Sequence, residues 1–213
     1  VQLELKAPIL PDPDFVPHVV DCIRASGIAD RLLLVSFRHD LLQQAKALMP
    51  ELRIGVLTLG DLLSMMLPPP VIWQDLGLVN SMDEPLDEEN CPALKKQVGM
   101  VSSVISDKLT LIAALYPQMS VRQILATLSA QADPAAYVRT LGFPVELVSC
   151  EYHTAFANPE VVNQLHDAGC KAAFWTVNTE DVVRSLVPLG PDCFVTDRPD
   201  VIREWIEKAQ AET

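Results

Sequence analysis

The sequence predicts an α/β fold in which parallel strands are covered on their outer side by helices. Short runs of aliphatic and aromatic residues alternate with longer segments whose apolar residues recur at helical spacing. The same alternation is found towards both ends of the 213-residue chain. Because parallel strands need a crossover connection, usually a helix, the alternation predicts successive βα units rather than hairpins.

The amino-terminal part is predicted to hold three strands and two helices. The first helix ends before Gly27, because glycine is favoured just past a helix end, and the second ends near Pro50. The predicted strands are residues 1–6, 31–37 and 53–58, and the predicted helices are residues 14–26 and 39–50.

The carboxy-terminal part continues the alternation. Asn158 is a good helix cap, Pro159 suits the first helical position, and Gly169 follows the predicted end. Asn178 or Thr179 is predicted to cap the next helix. The predicted strands are residues 147–152, 171–177 and 193–196, and the predicted helices are residues 158–168, 179–189 and from about 199 onward.

Six predicted strands fall short of a closed (β/α)8 barrel, which needs eight strands and typically about 250 residues. The sequence therefore predicts a TIM-barrel-like (β/α)8 fold that is incomplete, with about six βα units in a single domain, residues 1–213.

Residues 61–146 break the alternation and are predicted to form a helical insertion within that domain. Prolines at positions 68–70 prevent one continuous element, and helices are predicted over residues 98–116, 120–130 and 134–141. The insertion follows the carboxyl end of a strand, the face on which such barrels carry their sites. It is either a lid or partner surface, or a packing embellishment without a function of its own.

Composition excludes several function classes. A net charge of −12 would repel nucleic acid and anionic membranes. The apolar stretch at 98–116 is interrupted by Asp107 and Lys108, so no membrane span is predicted. The five cysteines are odd in number and widely spaced, which favours reduced thiols and a cytoplasmic location.

Polar residues at the predicted strand ends are the candidates for a site. Some of them immediately precede helices, so Asn178 and Asp197 are either helix caps or site residues. His39 heads a helix and is expected to be solvated rather than catalytic. The strand-end candidates are Glu4, Lys6, Ser36, Arg38, His39, Thr58, Glu151, His153, Trp175, Asn178, Thr196 and Asp197.

Glu4 and Lys6 stand out among these candidates. Residues 1–6 are typical of a buried strand, in which alternation places Gln2, Glu4 and Lys6 on one face and the aliphatic Val1, Leu3 and Leu5 on the other. The two charged residues are either an ion pair or the floor of a site. A buried ion pair contributes little to stability, whereas a strand-end carboxylate is a hard oxygen ligand suited to Ca²⁺ or Mg²⁺. We therefore favour a metal or phosphate site here.

Four segments, taken in order, resemble the glycerophosphodiester phosphodiesterase family. This resemblance implies a metal-dependent barrel of the phospholipase-C-like type that hydrolyses glycerophosphodiesters to glycerol 3-phosphate and an alcohol. It covers residues 1–58 and 147–206, and the insertion matches no family pattern. The segments are LELK at 3–6, LLLVSF at 32–37, FWTVN at 174–178 and FVTDRPD at 194–200.

The resemblance implies roles for three residues. Glu4 resembles the metal-binding glutamate, with Ca²⁺ or Mg²⁺ as the cofactor, and Lys6 the catalytic lysine beside the substrate phosphate. Trp175 resembles the tryptophan that lines the substrate pocket, although a barrel-core aromatic residue is the alternative. Glu151 and His153 could also line the site but match no fixed family position.

The sequence departs from the family at its start. The family opens with a His-Arg-Gly strand, a Glu-x-Asp strand and a His-Asp pair, which supply the catalytic histidines and most metal ligands. This chain lacks that opening pattern, so we expect it to begin at the third barrel strand and to have little activity alone. Two unpaired strand edges would favour a homo-oligomer or poor solubility.

Two alternatives stay open. The chain could be a non-catalytic barrel relative that acts as a binding or structural module through its insertion. It could also belong to another phosphodiester-cleaving barrel, such as a phospholipase relative, although the FWTVN segment argues against that.

Overall fold

A computed structural model of the chain describes residues 1–6, 8, 12–60, 69–95 and 103–212. Six parallel strands in this part form one sheet in the order β1-β2-β3-β4-β5-β6. The strands are β1 (Gln2–Glu4), β2 (Leu33–Ser36), β3 (Arg53–Thr58), β4 (Leu147–Glu151), β5 (Lys171–Trp175) and β6 (Cys193–Phe194).

Helices connect successive strands throughout the described part of the chain. The sequential order and parallel pairing give a sheet curled into a half-barrel, which confirms the predicted α/β fold and incomplete barrel. The α-helices are α1 (Phe15–Ser26), α2 (His39–Leu48), α3 (Ser103–Leu115), α4 (Val121–Gln131), α5 (Pro134–Val138), α6 (His153–Ala157), α7 (Val161–Asp167), α8 (Glu180–Leu186) and α9 (Ile202–Ala211). Short 3-10 helices are Ala29–Arg31, Pro70–Ile72, Pro92–Lys95 and Val187–Leu189.

The main core lies between the sheet and its outer helices. Alternate strand residues point to this side, so Leu34, Val148 and Phe174 are completely buried against helix residues such as Val20 and Leu42. Full burial of one such side chain contributes about 1.5–3 kcal/mol.

A second core lies within the insertion. Trp73, Leu109 and Ile112 pack together there, and Phe37 and Trp175 pack against their cluster. Phe37 follows β2 and Trp175 ends β5, so the insertion contacts the carboxyl end of the sheet. The first residues of the helix predicted at 98–116 lie outside the described residues, and α3 ends at Leu115.

The amino-terminal strand is more exposed than the sequence predicted. Val1 is 76% and Leu3 is 38% exposed, and only Leu5 of the three aliphatic residues is buried. The prediction of a buried aliphatic face is therefore wrong for Val1 and Leu3. The physical reason is position: within the described residues β1 pairs only with β2, so it is an edge strand.

The helix that directly precedes β5 begins later than predicted. Helix α7 begins at Val161, and the residue at its cap position is Glu160, without a side-chain cap. The Asn158 side chain instead accepts a hydrogen bond from the Glu160 amide, and its own amide donates to Gln164.

No helix in the described residues is long and apolar enough to cross a membrane.

Gly60 lies where the chain leaves β3, and we expect its replacement by alanine to be strongly destabilising. Its φ is +57°, and an added Cβ would lie 1.9 Å from Thr154 Oγ1. Backbone strain and overpacking together should lower the free energy of unfolding by about 2–5 kcal/mol. The urea midpoint of Gly60→Ala against the unchanged chain measures this loss.

Gly27→Ala is the matched control. Gly27 also has a positive φ, +66°, but an added Cβ there meets no atom within 4 Å. Gly27→Ala should therefore lower the free energy of unfolding only by the cost of backbone strain, about 1–2 kcal/mol. Equal losses in the two variants would show that the Gly60–Thr154 approach has no energetic importance.

Candidate active site

Of the predicted site residues, Glu4, Glu151 and Trp175 lie on one face of the sheet. Glu4 pairs in register with Val35, which pairs with Gly55, and Gly55 pairs with Leu147. Glu151 lies four residues after Leu147 on the same strand face and pairs with Trp175. Because the strands are parallel, Glu4, Lys6, Glu151 and Trp175 also belong to the same, carboxyl edge.

Glu4 and Lys6 form an ion pair that faces solvent. Lys6 Nζ lies 2.7 Å from Glu4 Oε1, and the two side chains are 74% and 33% exposed respectively. The interpretation of this pair as buried is therefore wrong, because β1 is an edge strand. An exposed pair contributes little to stability and leaves the ammonium accessible to a ligand.

The described residues do not assemble a metal centre. No group of three or more histidine, cysteine or carboxylate side chains in the described part of the chain could hold an ion. Glu4 is engaged by Lys6, so it offers at most part of one carboxylate. Since Ca²⁺ takes about six to eight oxygens and Mg²⁺ six in an octahedron, these residues alone do not fit either ion.

Trp175 is held in a fixed orientation at the end of β5. Its Nε1–H donates to the Ser149 carbonyl oxygen over 3.0 Å, which satisfies its single polar group. The Phe37 ring meets it edge-on, with centroids 5.4 Å apart and planes at 88°. The indole is half-buried and touches the insertion core, so it is both packed and partly accessible.

Glu151 and His153 form a hydrogen-bonded pair at the end of β4. Glu151 is buried, and its carboxylate accepts from the His153 backbone N–H at 2.9 Å and pairs with His153 Nδ1 at 2.8 Å. A carboxylate only accepts, so Nδ1 carries the proton and Nε2 is left unprotonated in the neutral ring. This arrangement orients an imidazole that can take up a proton, on the same edge as Trp175.

Asn178 and Asp197 connect the ends of β5 and β6. Asn178 Oδ1 accepts hydrogen bonds from Thr196 Oγ1 and the Asp197 amide, and its Nδ2 donates to Asp197 Oδ2 at 2.8 Å. Helix α8 is preceded by Thr179 without a side-chain cap, and α9 by Val201. The interpretation of Asn178 and Asp197 as helix caps is therefore wrong, because each is the other's partner.

His39 is buried, so the expectation of a solvated side chain is also wrong. Its Nε2–H donates to the Leu57 carbonyl oxygen over 3.0 Å, and Nδ1 accepts from the Tyr137 hydroxyl over 2.7 Å. Burial lowers the pKa of His39 to about 4, although the hydrogen bond to Leu57 opposes this. Sequence gave no signal of this contact, because Tyr137 lies 98 residues further along the chain.

We expect His39 to make the fold less stable in mild acid. Its folded pKa of about 4 lies below the ordinary 6.5, so the unfolded chain binds more protons between these values. Stability is complete above pH 6.5 and is lost as the pH falls towards 4, by on the order of 3 kcal/mol. Urea unfolding at a series of pH values measures the slope.

Two variants isolate the contribution of His39 to the pH dependence of stability. His39→Gln should flatten the slope between pH 6.5 and 4, whatever it does to absolute stability. His18 is exposed on α1, so His18→Gln should leave the slope unchanged. An unchanged slope in His39→Gln would contradict the assignment of the proton uptake to this residue.

Comparison with protein families gives one match. The glycerophosphoryl diester phosphodiesterase family model matches residues 78–201. This range includes β4 to β6, Trp175 and most of the insertion, so the expectation that the insertion lies outside the family pattern is wrong for 78–146. Glu4 and Lys6 lie outside the matched range. A search of curated proteins found no significant match.

Solved structures share the fold at low sequence identity. A protein from Silicibacter pomeroyi assigned as a glycerophosphoryl diester phosphodiesterase has a TM-score of 0.57 and 18% identity, covering 98% of this chain and 50% of its own. A glycerophosphodiester phosphodiesterase from Parabacteroides distasonis has a TM-score of 0.54 and 13% identity, with coverages of 98% and 57%. The chain thus spans about half the length of these relatives. The family match over more than half of its residues shows that the chain belongs to the glycerophosphoryl diester phosphodiesterase family.

Proposed function

We propose that the protein of which these residues form the barrel hydrolyses glycerophosphodiesters to glycerol 3-phosphate and an alcohol. The observation that carries this proposal is the family match across 78–201, which includes Trp175 at the carboxyl edge of the sheet. Sites of parallel barrels lie at that edge. The substrate is a small molecule.

Lys6 is the residue that we propose to act on the phosphate. The chain has a net charge of −12, so a phosphodiester needs a local cation to approach it. Lys6 provides one at the carboxyl edge, with its side chain mostly exposed. An ammonium beside the phosphate stabilises the negative charge that increases on its oxygens during attack by water.

Trp175 is proposed to form a wall of the substrate pocket. Its N–H is already bonded to Ser149, so its remaining accessible surface is the apolar ring. Such a surface would orient the carbon skeleton of the substrate without competing for the phosphate.

A divalent cation, Ca²⁺ or Mg²⁺, remains part of the proposal for the whole enzyme. Glu4 would supply one oxygen, and the other ligands would have to come from outside the described residues. We also propose that the 213-residue chain alone has little or no activity, since it lacks the family's opening motifs. We also propose a homo-oligomer, because β1 and β6 each pair on one side only within the described part of the chain.

A cytoplasmic location is supported by the cysteines. Cys22, Cys150, Cys170 and Cys193 are free thiols, and burial raises the pKa of the Cys150 thiol to about 12, so this thiol stays protonated and unreactive. Free thiols are typical of a reducing compartment.

The alternative, a non-catalytic binding module, is favoured by one observation. The described residues contain no cluster of metal-ligating side chains. Activity of a completed barrel decides between the two proposals. If a version extended at its amino terminus by two further βα units folds but releases no glycerol 3-phosphate from glycerophosphocholine with either cation, the catalytic proposal is wrong.

In that extended version, Lys6→Ala should lower kcat by about 100- to 1,000-fold, because a group that stabilises the charged transition state is lost. Lys171→Ala is the matched control. Lys171 is also an exposed lysine paired with a glutamate, but it begins β5 at the opposite edge of the sheet. Equal activities in the two variants would exclude a role for Lys6 in catalysis.

The 213-residue chain itself should bind Ca²⁺ or Mg²⁺ only weakly, with a Kd above about 1 mM, because a single carboxylate and water make a poor site. Isothermal titration calorimetry with each metal chloride measures the affinity. Tight binding abolished by Glu4→Gln but retained by Glu146→Gln would contradict the view that the ligand set is incomplete.

A further inference from the structure

A cleft lies beside the start of α2, at the same carboxyl edge of the sheet as Trp175, whose ring Phe37 contacts. Its volume is about 310 Å³, at the lower end of the roughly 300–1,000 Å³ that ligand sites occupy. Residues that follow β2 form one wall, and Tyr116, Thr127 and Tyr137 of the insertion form the other. All of these lining residues belong to the described part of the chain.

The cleft has one polar group without a hydrogen-bond partner. Tyr116 is only 2% exposed, yet its hydroxyl has no such partner among the described residues. Gln131 is not one of the residues that line the cleft. It is completely buried, and neither its amide nitrogen nor its amide oxygen has a hydrogen-bond partner among the described residues. It lies close enough to Tyr116 and Tyr137 to oppose the rise in their pKa values that burial causes. A buried polar group without a hydrogen bond destabilises the folded state, unless a ligand or a water molecule completes its hydrogen bonds.

The charges around the cleft cancel. Arg38 donates to both carboxylate oxygens of Asp40, over 2.8 and 2.7 Å. Burial raises the pKa of Asp40, but the Arg38 guanidinium more than offsets this and keeps the carboxylate ionised. His39 is neutral, and both of its ring nitrogens are engaged. The lining therefore offers no unpaired charge to attract an anion or a cation.

The remaining groups are suited to hydroxyls. The Tyr116 phenol can both donate and accept, and the Tyr137 oxygen keeps an acceptor site after donating to His39. Thr127 Oγ1 donates to the Gln123 carbonyl and likewise keeps acceptor capacity. A hydroxyl group also donates and accepts, whereas a phosphate or carboxylate only accepts. Phe37 adds an apolar wall against which a carbon ring can pack.

We propose that this cleft binds a small uncharged polyhydroxyl compound of the size of a sugar or cyclitol. The proposal rests on the mixed donors and acceptors, the cancelled charge and the volume, and it does not depend on phosphodiester hydrolysis. The alternative is that ordered water alone completes the hydrogen bonds of Tyr116 and Gln131.

The experiment is calorimetric titration of the 213-residue chain with myo-inositol and, separately, with inositol 1-phosphate. The two probes differ only in a phosphate group. We expect inositol to bind and its phosphate to bind more weakly. No binding of inositol would mean that the cleft holds water only, and tighter binding of the phosphate would mean an anion site; either result overturns the proposal.

Tyr116→Phe connects the binding to this cleft. It removes one unpartnered hydroxyl, so inositol affinity should fall by about tenfold while thermal stability is unchanged or higher. Tyr152→Phe, which removes a phenolic hydroxyl outside the cleft, should change neither property. If Tyr116→Phe does not fold, Thr127→Val tests the opposite part of the same wall. Unchanged inositol affinity in the folded variant would overturn the proposal.

Discussion

The parallel pairing of β3 with β4 is the interaction on which the rest of the structure depends. It joins the amino-terminal βα units to the carboxy-terminal ones across the insertion, with Gly55 opposite Leu147 and Thr58 opposite Cys150. Gly55 makes this possible, because an added Cβ would lie 2.9 Å from Val35 Cγ1 and 3.3 Å from the Leu147 carbonyl oxygen. Closing the long intervening segment costs conformational entropy, and the hydrogen bonds and burial along both strands offset that cost.

That pairing also brings the candidate site together. Once the register is fixed, parity along each strand decides which residues share the inner face, and the strand direction decides which share the carboxyl edge. The rule of strand direction can be applied to the sequence alone, so Glu4 and Trp175 could both be predicted as strand-end candidates. The bounds of β3 followed in the same way, because its apolar run is short and clearly delimited.

Exposure and partners could not be predicted, because they depend on distant residues. β1 has an alternating pattern typical of a half-buried strand, but its burial depends on a neighbour on its second side. His39 and Asn178 were misinterpreted for a related reason. Each stands at a helix start, where local rules favour solvation or capping, and each is instead bonded to a residue brought near by the fold, Tyr137 and Asp197 respectively. At His39, local propensity is overridden because a buried polar side chain needs a partner. At Asn178, which is only half-buried, it is overridden because the fold brings Asp197 within hydrogen-bond distance.

The exposure of the Glu4–Lys6 pair makes a binding role easier to fulfil than the predicted burial would have. A buried pair resists rearrangement, because separating its members leaves a charge without a partner in a medium of low polarity. In an exposed pair, water screens both charges, so separating Lys6 from Glu4 costs little. The roles proposed above, Lys6 beside a phosphate and Glu4 beside a cation, both require this separation. The solvent exposure of the two side chains therefore removes the main energetic objection to assigning both roles to one ion pair.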